Sequence, residues 1–195
     1  MIGDLTVIPL LFILVTSMSL LLNLHWRWTI LAFAIQYIGV FWLVSQNWPL
    51  GLATVKLVAG WMAGAILAST QVNNESELSL GFMGLSGRIF RVIAGLFVLI
   101  IAFSIVGQIS TWIPGDPNTL LSGVVLMMMG LLQLGMTTVP FRSMLGLLSA
   151  FSGFELIYAT VVTSVLVTGL LAVITLGLAL AGSYFMSLEK EQEAA

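Results

Sequence analysis

Residues 89–109 read IFRVIAGLFVLIIAFSIVGQI, a stretch with one charged side chain, Arg91, and no proline. A helix needs about 20 apolar residues to cross roughly 30 Å of hydrocarbon. The stretch is therefore long enough to span a membrane as a single helix. Similar runs on both sides of it decide the fold.

Six further runs of this kind flank residues 89–109, so the sequence predicts about seven transmembrane helices. The predicted spans are residues 5–24, 29–46, 50–69, 89–109, 120–139, 143–161 and 164–186. The breaks between most of them are short, so counts of six or eight also remain open. We predict an all-α integral membrane protein.

The composition excludes a water-soluble enzyme. Of 195 residues, 59% are hydrophobic and 7% charged, whereas about 25% of a soluble domain is charged. The formal net charge is −2 and the six Lys and Arg residues are scattered, so we expect no nucleic-acid partner. With no Cys and a single His, His25, the chain has no set of ligands typical of zinc, haem or iron–sulfur sites, so we expect no metal and no cofactor.

The distribution of basic residues predicts the orientation. With seven spans, all the basic residues near span ends fall on one side of the membrane, while Asp4 and Asp116 fall on the other. The basic residues on that side are Arg27, Arg88, Arg91, Arg142 and Lys190. Because basic residues favour the cytoplasmic side, we predict that the N-terminus is outside and the C-terminus inside.

Two ionisable residues, Lys56 and Glu155, fall within predicted spans. A charge at the centre of a membrane helix costs about 2.5–3.5 kcal/mol, so each residue needs a partner, a water-filled cavity or a function. Both lie about 9 Å below the outer boundary at a rise of 1.5 Å per residue, which allows an ion pair between them. They are the candidate proton-relay groups. A structural ion pair, or a Lys56 side chain that reaches the headgroups, is the alternative.

Uncharged polar residues and glycines complete the candidate set. Gln36 and Gln133 are secondary polar candidates, for which a hydrogen bond between helices is the ordinary explanation. Small residues allow membrane helices to approach closely, which predicts helix packing at several glycines. These are Gly60, Gly64, Gly153 and Gly177.

The layout of the chain suggests two three-helix units in the same orientation, joined by a linking helix in a 3+1+3 plan. Each unit has an arginine in its first inner turn, Arg27 or Arg142, and a polar residue in its middle helix, Gln36 or Glu155. The predicted divisions are an N-terminal unit (1–70), a cytoplasmic loop (71–88), a linking helix with an outer loop (89–119), a C-terminal unit (120–186) and a polar tail (187–195).

The C-terminal unit resembles a known family. Phe141-Arg142, Gly146-Leu147-Leu148, Gly153-Phe154-Glu155-Leu156-Ile157-Tyr158-Ala159 and Leu176-Gly177-Leu178-Ala179-Leu180 are similar to the K subunit of respiratory complex I. The same layout occurs in the C subunit of multisubunit cation/proton antiporters and the E subunit of formate-hydrogenlyase-type hydrogenases. The resemblance covers residues 120–186.

The resemblance implies a share in a lateral proton path, with Glu155 as the glutamate of the second helix. A second membrane glutamate of that family falls at Val173 here, and the N-terminal unit carries Gln36 at the glutamate position. It also implies a subunit without catalytic residues of its own, in a larger oxidoreductase or antiporter complex.

Three functions follow as hypotheses. The first is a non-catalytic subunit of a complex I-like or hydrogenase-like assembly that translocates protons or cations, with other membrane subunits and the lipid bilayer as partners. The second is a small stand-alone proton-coupled transporter, and the third a purely structural membrane subunit. In each case we expect a multi-pass protein in the plasma membrane of a bacterium.

Overall fold

The computed structural model describes residues 3–22, 25–72 and 85–194, and this part of the chain contains helices and no strand. The predicted all-α architecture is confirmed. The seven helices are α1 (Gly3–Leu22), α2 (Trp26–Val44), α3 (Leu50–Val72), α4 (Leu85–Trp112), α5 (Pro117–Gly135), α6 (Pro140–Val161) and α7 (Val165–Ala194).

Local sequence explains where α5 and α6 begin. The Asp116 side chain accepts hydrogen bonds from the backbone N–H groups of Asn118 and Thr119, at 3.1 and 3.2 Å, as an N-cap does. Pro117 follows at the first helical position, where its missing N–H has no cost. Pro140 begins α6 in the same way. Both helices therefore start three residues earlier than their hydropathy predicts.

Helix length and composition identify a multi-pass membrane protein. Six helices, α2 to α7, are long and apolar enough to cross a membrane, and α1 contains a shorter apolar segment, Thr6–Leu22. Large apolar side chains are exposed along α4, including Phe97 at 62% and Ile100 at 67%. Such a surface is unfavourable in water and favourable against lipid.

The helices form two rows of three. Helices α1, α2 and α3 pack in sequence order, as do α5, α6 and α7, and each helix of the first row contacts its counterpart in the second. Helix α4 packs on α5 and α1 outside the rows. The division of the chain into two repeated three-helix units and a linking helix stays a prediction.

Helices α5 and α6 form the closest interface, because glycines face each other across it. A Cβ at Gly153 would lie 2.5 Å from the carbonyl oxygen of Gly123, and one at Gly146 would lie 2.9 Å from that of Gly130. On each helix the two glycines are seven residues apart: Gly123 and Gly130 on α5, and Gly146 and Gly153 on α6. A spacing of seven is the repeat of a left-handed helix crossing. At these glycines the backbone of α5 packs directly on the backbone of α6, and this contact holds α6 in place.

Two predicted boundaries differ from the structure. Helix α3 continues to Val72 and α4 starts at Leu85, so the predicted loop 71–88 is helical at both ends, and its residues 73–84 lie outside the described part. The predicted polar tail, 187–195, continues α7 as far as Ala194. Glu, Lys, Gln and Ala are strong helix formers, so the helix continues beyond the apolar run.

Hydrogen bonds identify the two ends of the bundle. Arg91 and Arg142 both bind the carbonyl oxygen of Leu21, at the end of α1, and we name this the arginine end. At the other end Asn118 donates to Thr6, and we name it the Asp116 end after the nearby N-cap. The predicted orientation would place the Asp116 end outside the cell.

Candidate proton-relay site

The structure brings Lys56 and Glu155 together. The Lys56 ammonium, on α3, forms an ion pair with a carboxylate oxygen of Glu155, on α6, and their side chains are 7% and 3% exposed. Lys56 is six residues from the start of α3 and Glu155 six residues from the end of α6, so both lie about 9 Å from the Asp116 end. Hydropathy and helix geometry were enough to predict this common depth.

Tyr37, on α2, is the aromatic neighbour of the ion pair. The Lys56 ammonium lies 5.4 Å from the centre of the Tyr37 ring, which is within the range of a cation–π interaction. The ring packs directly on Gly60, one turn beyond Lys56, where any Cβ would overlap it. Gly60 therefore allows Tyr37 to approach α3 and reach Lys56.

Several buried uncharged polar side chains on α2 and α6, the helices that carry Tyr37 and Glu155, have no hydrogen-bond partner among the described residues. They are the amide of Gln36 and the hydroxyls of Tyr37, Ser149 and Ser152. The Ser152 hydroxyl lies beside that of Tyr37, but without the geometry of a full hydrogen bond. Buried polar groups in proteins are nearly always paired, and exceptions point to ordered water or a functional role.

A polar stripe runs along α6 from the arginine end to the ion pair. Its members, Arg142, Ser149, Ser152 and Glu155, are all buried and recur at spacings of seven, three and three residues. At 1.5 Å per residue the stripe is about 20 Å long. It places hydroxyl groups, which both donate and accept hydrogen bonds, between an arginine and the Glu155 carboxylate.

Two arginines are held at the arginine end by backbone carbonyls. Arg91 donates to the carbonyl oxygens of Leu21, at 3.1 Å, and Met136, at 3.0 Å. Arg142 donates to those of Leu20 and Leu21, both at 3.4 Å. Leu20 and Leu21 end α1, where the carbonyls lack helical partners and the helix dipole is negative. The sequence marked Arg91 only as a sign of topology, and Arg142 also as the inner-turn arginine of the C-terminal unit, but it predicted no carbonyl partners for either.

The structure also shows what the remaining residues singled out from the sequence contact. Gln133 joins α5 to α6, since its amide donates to the carbonyl oxygen of Arg142 at 2.9 Å. Gly64 approaches Phe33, and Gly153 lies in the α5–α6 interface. Gly177 is exposed, and a Cβ there would have no described atom within 4 Å. Packing at Gly177 therefore requires a helix from outside the described part of the chain.

A small cavity adjoins the ion pair on its Asp116 side. It has a volume of about 10 Å³ and is lined by Lys56, Glu155, Trp48 and Thr168 among others. About 10–15 Å³ of such space accommodates one water molecule. The cavity thus has room for a water in contact with both charged groups.

Among the described residues, no three His, Cys, Asp or Glu side chains cluster as metal ligands would. The chemistry that this site supports is proton transfer: a carboxylate that can be neutralised, an amine that balances its charge, and neighbouring hydroxyls.

In comparisons with protein-family models, curated proteins and solved structures, no match to this chain is found.

Proposed function

We propose that this chain is a non-catalytic membrane subunit of a complex I-like or hydrogenase-like assembly that translocates protons or cations. Glu155, paired with Lys56, is the intramembrane proton-relay group. The assembly lies in the plasma membrane of a bacterium, and the partners of the chain are other membrane subunits. The redox or transport chemistry belongs to those partners.

The buried Lys56–Glu155 pair and its incompletely bonded neighbours are the observation that carries this proposal. An ion pair that served only to join helices would gain from hydrogen bonds that satisfy its remaining lone pairs and protons. Here Tyr37, which contacts Lys56, and Ser152, beside Tyr37, lack such bonds among the described residues, as does the buried amide of Gln36 on α2. Polar groups that are buried and not committed to fixed partners can exchange partners as a proton passes.

The stand-alone transporter is the weaker alternative on the grounds of size. A pocket for a small organic molecule has a volume of about 300–1,000 Å³. The cavity beside Glu155 measures about 10 Å³, which suits a water molecule. The exposed small residues Gly169 and Gly177 on α7 allow a helix of another subunit to approach closely. This supports the proposal that the chain is a subunit of a larger complex.

Purification from native membranes tests the proposal. The tagged protein is extracted in mild detergent, and the proteins that accompany it in constant ratio are identified by mass spectrometry. We expect large antiporter-like subunits together with redox or cation-transport subunits. Recovery of the chain alone, as a monomer or homodimer, would contradict the proposal and favour the transporter.

A pair of variants, one test and one control, sharpens this purification. The test variant, Gly177→Leu, changes an exposed position on α7 that contacts nothing described, so the protein itself should fold normally. If α7 faces a partner, this bulky residue reduces the recovery of that partner. Gly107→Leu, at a similarly open position on α4, reports the effect of the same change elsewhere.

A further inference from the structure

The two sides of the Lys56–Glu155 pair differ in packing. Toward the arginine end the pair meets the ring of Tyr37, followed by Phe33 and Leu148, all with 1% or less of their surface exposed. Toward the Asp116 end it meets the cavity of about 10 Å³. Space for a water molecule therefore adjoins the pair on the Asp116 side.

The lining of this cavity suits a water molecule. Thr168 uses its hydroxyl proton in a bond to the carbonyl oxygen of Ser164, at 2.9 Å, so its oxygen still accepts hydrogen bonds. Lys56 supplies donors and Glu155 acceptors. A water in the cavity would have two to three polar partners, which is the usual number for a buried water.

Trp48 lies between this cavity and the end of the bundle. It belongs to the connection between α2 and α3 and is 5% exposed. Its indole N–H donates to the carbonyl oxygen of Val162, in the connection between α6 and α7, at 3.1 Å. One hydrogen bond thus ties together the two connections that lie above the cavity.

We propose that the Lys56–Glu155 pair exchanges protons with the Asp116 side of the membrane through this cavity, and that Trp48 is the gate that closes it. The inference rests on the proposed relay role of Glu155 and adds the side of access and the residue that controls it. A proton that arrives through the water neutralises the Glu155 carboxylate. The positive charge then left on Lys56 is stabilised by the face of the Tyr37 ring.

Single-cysteine variants test the access directly, because the chain has no cysteine of its own. Thr168→Cys places a thiol in the cavity wall, and Leu170→Cys places one on the exposed apolar face of the same helix as a control. Silver ion, a small thiol reagent, is added to one side of sealed membrane vesicles at a time. Reacted thiol is measured as the loss of later labelling by a maleimide in denaturant.

We expect the thiol of T168C to react faster than that of L170C, and only when silver ion is added on the Asp116 side. Adding W48F removes the indole N–H but keeps an aromatic ring, and should raise the rate at T168C about two- to tenfold, the effect of losing one hydrogen bond. The rate at L170C should not change. Ala172→Cys, also in the cavity wall, is a second reporter.

Reaction from the arginine side, or equal rates in T168C and L170C, would overturn the access route. An unchanged rate in W48F would overturn the gate. Neither result concerns proton coupling, which is measured separately with variants of Glu155. Loss of coupling in those variants alongside an unreactive T168C would therefore disprove the route while leaving the relay role intact.

Discussion

Two buried charged sites lie at different depths in this bundle. At the arginine end, Arg91 and Arg142 donate to backbone carbonyls at the ends of α1 and α5. Nearer the Asp116 end, Lys56 and Glu155 depend on each other and on a ring face. The arginines have fixed acceptors that never titrate, whereas the ion pair has a partner that can be neutralised.

Under the proposed function, this difference separates a structural site from the relay site. Carbonyls at a helix C-terminus need donors, and arginine supplies several in a fixed geometry without losing its charge. A carboxylate paired with an amine changes its charge when it takes up a proton, and the neighbouring hydroxyls can rearrange. We therefore expect changes at the arginines to affect stability, and changes at the pair to affect stability and coupling together.

The largest expected effect comes from removing one member of the ion pair. Lys56→Met leaves a buried carboxylate without its partner, which costs about 3–5 kcal/mol in the free energy of unfolding. Lys56→Met with Glu155→Leu removes both charges and should restore most of that loss. The free energies are measured by denaturant titration of the purified protein in lipid–detergent mixtures. A loss in the double variant equal to the sum of the losses in Lys56→Met alone and Glu155→Leu alone would show that the two residues do not stabilise each other.

A second large effect is expected at the arginine end. Arg91→Met removes two hydrogen bonds from a charged donor, and each should contribute about 1.5–3 kcal/mol. Arg91→Lys keeps the charge but cannot reach the Leu21 and Met136 carbonyls with the same planar group, so it should recover only part of the loss. The number of protons translocated per turnover should remain normal in the complex that still assembles. A specific loss of coupling in R91K would remove the distinction between the two sites.

The smallest effect on stability is expected at Ser152. Its hydroxyl has no partner of good geometry, so Ser152→Ala should change the free energy of unfolding by about 0.5 kcal/mol or less. If the hydroxyl passes protons along the α6 stripe, coupling should nevertheless fall. Ser110→Ala, at an exposed position on α4, is the control. Normal coupling in S152A would exclude Ser152 from the path.

Apolar run length predicted much of the fold. The seven helices occur at the predicted places because the membrane fixes the length of a span, and because the short breaks contain strong helix terminators. The residues at which the helices begin and end were less predictable. Asp116 and Pro117 together are a signal for the start of α5 that hydropathy does not register. The polar end of α7 stays helical for reasons of propensity alone.

The site was predictable in part. A charge in a span is conspicuous, so Lys56 and Glu155 could be found, and helix geometry predicted their common depth. Tyr37 could not, because an aromatic residue in a membrane helix is ordinary and its role depends on the distant Gly60. The carbonyl partners of Arg91 depend on how α1, α4 and α5 meet, which no local pattern records. The glycines spaced by seven on α5 and α6 were a signal of their interface that could have been used.

The most direct test of the relay role measures proton translocation in native membranes that carry K56M/E155L. This variant removes both charges and so avoids the instability of an unpaired one. The amount of assembled complex is measured in the same membranes, so that folding and coupling are separated. We predict normal assembly with fewer protons translocated per turnover. Normal assembly with an unchanged proton stoichiometry would contradict the relay role and leave the pair as a structural contact.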